Sequence, residues 1–203
     1  MVLWTIQPED VYNKILETGV YRCDLSLSCM KEQENEYIWL TNQMEERIGP
    51  RPKGVDYPVW AWHTHEGRRK KPDLRRARWG YGWKGEKFYC LEIDVPDDKV
   101  LLSDFDSWSV ILLGGLLSET EEEDEKLERE YASLPSDKKW EMMSENWEKV
   151  FDLSPLDNGY VQRGDTIQAT FWELRREYIQ KAVPFISALA KPGYLEDDGA
   201  SME

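Results

Sequence analysis

Between Pro58 and His63 the side chains alternate, so that Val59, Ala61 and His63 share one face and Trp60, Trp62 and Thr64 the other. Both faces carry apolar groups. A strand with one wet face does not show this pattern, so the segment predicts an interior strand covered on both sides. Such a strand needs partners beside it and packed layers above and below it.

The remaining segments supply both. Val2 to Gln7 reads as an opening strand. Pro8 then starts a helix where its missing N–H does no harm, Val11 and Ile15 form its apolar stripe, and Gly19 supplies a left-handed stop. Glu32 to Ile48 is a second helix, with Tyr37, Leu40, Met44 and Ile48 at helical spacing. Lys87 to Val95 and Val100 to Leu102 are strands joined by a Pro96-Asp97-Asp98 turn. Ser103 or Asp104 caps a helix carrying Trp108 and Ile111. Glu119 to Ala132 and Asp137 to Phe151 are helices, the first strongly acidic, and Thr166 to Leu174 is a strand. Arg175 to Ala190 reads as strand or helix. The expectation is an α+β fold: a curved, mostly antiparallel sheet of about five or six strands with helices packed around it. Residues 1–190 are expected to form a single domain, and 191–203 an acidic disordered tail.

The longest apolar run, Val110 to Leu117, is broken by Gly114-Gly115 and falls far short of the roughly 20 residues that span a bilayer. The first residues lack the basic-then-apolar order of a secretion signal. These features predict a cytoplasmic protein with no membrane partner. Cys23, Cys29 and Cys90 are odd in number and none sits in a Cys-x-x-Cys spacing, so neither a disulfide framework nor a structural metal is expected. His63 and His65 share a strand face, but no third ligand is spaced to join them.

Charge is the most uneven property of the chain. The net charge is −14, yet seven of the 26 Lys and Arg fall between Arg68 and Arg78. Trp79, Tyr81 and Trp83 follow at once, and the whole stretch from Glu66 to Gly85 has no apolar period, as in a long functional loop. Arginines there can hold phosphate bidentately, and the aromatic rings can stack on a base. The plainer reading is a solvated loop paired with the acidic helix at Glu121 to Glu130. Ser103-Asp104-Phe105-Asp106 offers two carboxylates at a site mouth, or simply a helix cap.

Leu3-Trp4-Thr5-Ile6-Gln7, Trp60-Ala61-Trp62, Lys71-Pro72-Asp73-Leu74-Arg75, Leu101 to Asp106 and Gln168 to Leu174 together resemble a bacterial family catalogued as a domain of unknown function. That resemblance runs from Leu3 to about Leu189 and implies a bacterial or phage protein but no activity. Two segments also resemble ADP-ribosyltransferase-like toxins that modify nucleic acid: the strand, helix and glycine from Leu3 to Gly19, and Gln168-Ala169-Thr170-Phe171, similar to a Gln-Ala-Glu-Phe strand. This second resemblance implies NAD as substrate, with nucleic acid as an acceptor. It places Trp4, Thr5 and Gln168 at the ligand site.

The departures from the toxin pattern are specific. Thr170 stands where that family carries its Glu, and Trp4-Thr5 where it carries His or Arg. Either Glu173 substitutes as the catalytic carboxylate from the other strand face, or the NAD chemistry is lost and the chain is a degenerate relative; in both cases Trp4, Trp79 or Trp83 would stack the ligand and Arg75 hold phosphate. The competing expectation is a non-enzymatic acidic protein that binds a protein partner through its acidic helices and Trp-rich surfaces.

Overall fold

The computed structural model describes residues 1–23 and 33–190. The expectations for Cys29, for the start of the second helix at Glu32 and for the tail 191–203 lie outside those residues. The strands are β1 (Val2–Pro8), β2 (Val20–Tyr21), β3 (Val59–Thr64), β4 (Lys87–Asp94), β5 (Leu101–Asp104), β6 (Leu156–Asp157), β7 (Gln162–Arg163), β8 (Ile167–Phe171), β9 (Leu174–Arg175) and β10 (Ile179–Ile186). The helices are α1 (Glu9–Thr18), α2 (Glu34–Ile48), α3 (Leu74–Ala77), α4 (Phe105–Leu112), α5 (Glu121–Ser133) and α6 (Ser136–Asn146).

Six strands form the main sheet in the order β10-β4-β1-β3-β8-β5, antiparallel at every joint, so the α+β expectation holds. The stretch from Arg175, left open between strand and helix, begins at the last residue of β9 and becomes a short 3-10 turn and the edge strand β10. β3 is interior, as its two apolar faces require. On one face Val59 and Ala61 pack with Leu3, Leu91, Ile93, Ala169 and Phe171 beneath Val11 and Ile15 of α1. On the other, Trp60 packs against a cluster built by Tyr37, Leu40 and Met44 of α2, Trp108 and Ile111 of α4, and Trp147 and Val150.

Much of that second core is aromatic. Tyr37 meets Tyr57, Trp60 and Trp108 edge-on, and Trp147 meets Trp39 and Trp140 likewise. Trp147 is fully buried and its indole N–H donates to the Gly115 carbonyl at 2.8 Å, which satisfies its one polar group. The expected acidic helix is α5. It buries none of its residues, and the Thr120 side chain caps it by accepting from the Glu123 N–H. No helix among the described residues is long and apolar enough to cross a membrane.

Candidate functional site

β1 and β4 pair along all seven residues of β1, but β1 and β3 register only at Trp4 and Trp62. From that point toward Gln7 and Val59 the two strands part. What joins them there is a side chain: the Thr5 hydroxyl donates to the Trp60 carbonyl at 2.7 Å, and the Gln7 amide in turn donates to Thr5 Oγ1 at 2.8 Å. The parting leaves a recess of about 210 Å³ walled by Trp4, Thr5, Tyr21, Trp60, Trp62 and Tyr81. A second recess of about 240 Å³ shares Trp62 and Tyr81 and adds His65, Glu66, Lys70, Lys71, Asp73 and Arg76. A third, about 480 Å³, shares Glu66, Lys70, Asp73 and Arg76 and adds Arg68 and Arg75. The surface therefore passes continuously from aromatic to charged, with cations outnumbering the two carboxylates. The first two recesses together fall in the roughly 300–1,000 Å³ class of small-ligand sites.

The basic segment that walls this surface is a long connection, as expected, but its backbone is bound along its length. At its start His65 and Arg68 bridge one another, and Gly67, in left-handed conformation, donates to the Asp165 carbonyl at 2.8 Å. Pro72 is buried and the Asp73 side chain caps α3. At its end Ala188 donates to the Arg78 carbonyl and Lys84 to the Leu189 carbonyl, both at 2.7 Å, while Ser187 Oγ lies 3.3 Å from the Arg78 and Gly82 carbonyls. Gly82 has φ +57, and a Cβ there would meet the Phe88 ring at 2.4 Å, so backbone shape and contact both select glycine. Tyr81 is held inward; burial pushes its phenol up, against a hydrogen bond from Trp62. No ion pair joins this segment to α5 among the described residues, so the pairing of loop with acidic helix is not what the fold makes.

The residues expected to form the site divide. Trp4 and Thr5 line the aromatic recess. Gln168 lies in one cross-strand row with Trp4, Trp62 and Ser103, but it is buried and is not part of the recess wall, and its Nε2, like Ser103 Oγ, has no hydrogen-bond partner among the described residues. Arg75 belongs to the cationic recess, with its side chain 90% exposed and clamped on Asp73, whose carboxyl that contact pulls down to about 2. Trp79 and Trp83 are exposed outside the recesses, at 60% and 36%.

Glu173 requires a correction of place. β8 ends at Phe171, and Glu173 leaves the ladder to meet Arg22 at 2.5 Å and Arg175 at 2.5 Å. It lines a separate recess with Trp172, Lys99 and Tyr178. Burial would raise its carboxyl, but the hydrogen bonds from Arg175 and Arg22 outweigh burial and hold it below the usual carboxylate range. The structure therefore does not bring Glu173 together with Trp4 and Thr5. The named wall residues of the aromatic recess absent from the expected set are Tyr21, Trp60, Trp62 and Tyr81. Their signal was present in the shared face of Trp60 and Trp62, but their partner across the gap is a strand 55 residues away in sequence, as the Thr5–Trp60 bond records.

Other groups are committed to structure. His63 bonds the Thr64 hydroxyl at 2.9 Å and the Arg69 guanidinium, while His65 stands edge-on to Trp62. Asp104 is fully buried, accepts from Ser107 N at 2.9 Å and Gly164 N at 2.8 Å, and is the helix cap. Burial pushes the Cys90 thiol up to about 11. A recess of about 440 Å³ between α4, α5 and the β6–β7 hairpin also has cations in its wall. There, however, Lys149 is paired with Glu123, and Arg163 with Glu119 and Asp152.

Against known proteins, residues 2–180 match the family model described as a domain of unknown function, DUF3841, and the chain belongs to that family. No curated protein and no solved structure matches it.

Proposed function

We propose that this chain binds a nucleotide, with the base in the gap between β1 and β3 and the phosphates directed toward Lys70 and Lys71, neither of which forms an ion pair among the described residues. The observation that carries the reading is the passage from indole and phenol walls to clustered cations, with Trp62 and Tyr81 common to both recesses. Aromatic faces bind any base, and lysine and arginine hold phosphate. The resemblance to ADP-ribosyltransferase-like toxins supports the same place, because the opening strand β1 that carries it walls this gap, and it names NAD as the nucleotide to try first.

The transfer reaction of that resemblance needs a carboxylate beside the ribose. None lines the aromatic recess among the described residues, the Glu66 and Asp73 carboxylates of the adjoining recess are paired with Arg76 and Arg75, and Glu173 is engaged by two arginines elsewhere. We therefore read the chain as a nucleotide-binding relative of such enzymes in which Glu173 has no catalytic part. Calorimetric titration with NAD, ADP and ATP tests this. Trp62→Ala should weaken whichever binds by about tenfold to a hundredfold, the scale of one lost base stack. NAD consumption by the wild type, with DNA, RNA or protein as acceptor, that disappears in Glu173→Gln would overturn the non-catalytic reading.

A second reading rests on α5, an acidic helix with no buried residue. It is available to a basic protein partner, and no titratable nucleotide affinity would leave this reading ahead.

A further inference from the structure

Eight of the 26 Lys and Arg, but only two of the 40 Asp and Glu, lie within residues 66–85. Both acids are spoken for: Glu66 pairs with Arg76 at 3.1 Å and Asp73 with Arg75 at 2.8 Å. Arg68, Lys70, Lys71, Arg78 and Lys84 form no ion pair among the described residues and are all exposed. In a chain of net charge −14, five cations in one segment with no ion-pair partner are a local positive field that the fold itself does not use, and the Glu86 carboxylate that follows is turned to the Trp83 N–H at 2.8 Å. Large aromatic groups are exposed on the same segment. Trp79 follows Arg75 and Arg76 by one turn, its N–H donating to the Arg76 carbonyl at 3.0 Å, and it is the most exposed of the exposed tryptophans at 60%. Trp83 stands next to Lys84.

We propose that the outer face of this segment, Arg68, Arg78, Trp79, Trp83 and Lys84, docks a single strand of nucleic acid. The cations match phosphates in charge, and an indole lying open in water offers a stacking surface that only unpaired bases can meet, since a duplex keeps its base faces covered. The backbone ties from Ser187, Ala188 and Leu189 hold the segment in shape before the ligand arrives, which lowers the ordering cost of binding. None of these five residues lines the aromatic recess, so the surface stands whether or not a nucleotide occupies the gap between β1 and β3.

The test is fluorescence anisotropy of the full chain with a labelled thymidine oligonucleotide of about 15 nucleotides, near the upper site size for one small fold, and with a duplex of equal length. The expected result is binding to the single strand that is tighter than to the duplex. Its logarithmic salt slope should lie between about −2 and −3.5, corresponding to three to five phosphate contacts. Trp79→Ala should weaken it by about tenfold to a hundredfold. The triple variant Arg68→Glu, Arg78→Glu, Lys84→Glu should abolish it while the circular dichroism melt stays that of the wild type, since all three side chains are exposed. No binding at low salt, equal or tighter binding of the duplex, or full binding by the triple variant would each overturn the proposal. So would a chain that dimerises in sedimentation and is dispersed by the triple variant, because the face would then be seated on the acidic helix of a second copy. Any of these failures leaves the mononucleotide titration of the gap to be read on its own.

Discussion

Thr5 and Trp60, one position out of step across the gap between β1 and β3, are joined by a hydroxyl-to-carbonyl bond of 2.7 Å. The Thr5 side chain is almost wholly buried, and the bond is part-buried at the wall of the recess. Thr5→Val keeps the side-chain shape and leaves the Trp60 carbonyl without its donor. A loss of about 1–3 kcal/mol is expected, the cost of an unsatisfied buried acceptor. Urea unfolding at constant m-value measures it. A midpoint equal to that of the wild type would show that the gap is not held by this bond.

The aromatic core predicts a sharper effect. Trp147 is fully buried between Trp39 and Trp140. Trp147→Ala should cost about 3–5 kcal/mol, as large-to-small core changes do. Trp147→Phe, which keeps most of the packing and drops the bond to Gly115, should cost less than half of that. Thermal unfolding of the two variants separates packing from hydrogen bonding.

Glu173 gives a pH dependence. Its carboxyl is held below the usual range, so the folded state binds its proton less readily than the unfolded chain does. The stabilisation is complete above the unfolded value, near 4.3, and is lost as pH falls through the lower folded value. Glu173→Gln should therefore lower stability at pH 7 by about 1–3 kcal/mol, the worth of charge-assisted hydrogen bonds. The difference from the wild type should shrink toward pH 3. Denaturant midpoints at the two pH values check the sign, and nucleotide affinity should not change.

Cys90 is buried on β4, and burial raises its thiol to about 11. The thiolate is the reactive form, so at pH 8 this thiol should resist an aromatic disulfide reagent in the folded protein and react on unfolding. Thiol counts for the wild type and Cys90→Ser, with and without denaturant, decide it. Equal counts for the two folded proteins are expected, and a slow wild-type excess of one thiol would report local opening of β4.

The sheet was legible because its signals are local. β3 and β8 are marked by alternation, α1 by Pro8 and Gly19, and Asp104 by its place between a strand and a helix. The gap between β1 and β3 was not legible, because no property of Trp4 or Trp62 alone says that their strands will separate after one pair. The same limit explains Glu173. Period-two reasoning set it on a strand, but β8 stops two residues earlier, and the pull came from Arg22, which lies 151 positions back. The basic segment was read correctly as a long connection, but its fastening to Ser187 and its neighbours depends on contacts more than 100 residues apart.

That fastening decides how the chain meets a protease. A stretch with eight Lys and Arg is where trypsin would be expected to cut freely, yet cleavage requires the backbone to straighten into the enzyme. The Arg78 and Gly82 carbonyls and the Lys84 and Gly85 amides are held by residues 187–189, Leu74 to Ala77 is helical, and Arg68 is bonded to His65 through both amide and carbonyl. Only Arg69 to Lys71 combines basic side chains with few backbone bonds, the Lys70 N–H donating to the Arg68 carbonyl, and the bond after Lys71 precedes Pro72. Digestion of the native chain within this segment should therefore begin after Arg69 or Lys70. The break would fall between the half of the segment tied to Asp165 and the half tied to Ser187, so the nicked halves should stay bound to the body of the protein.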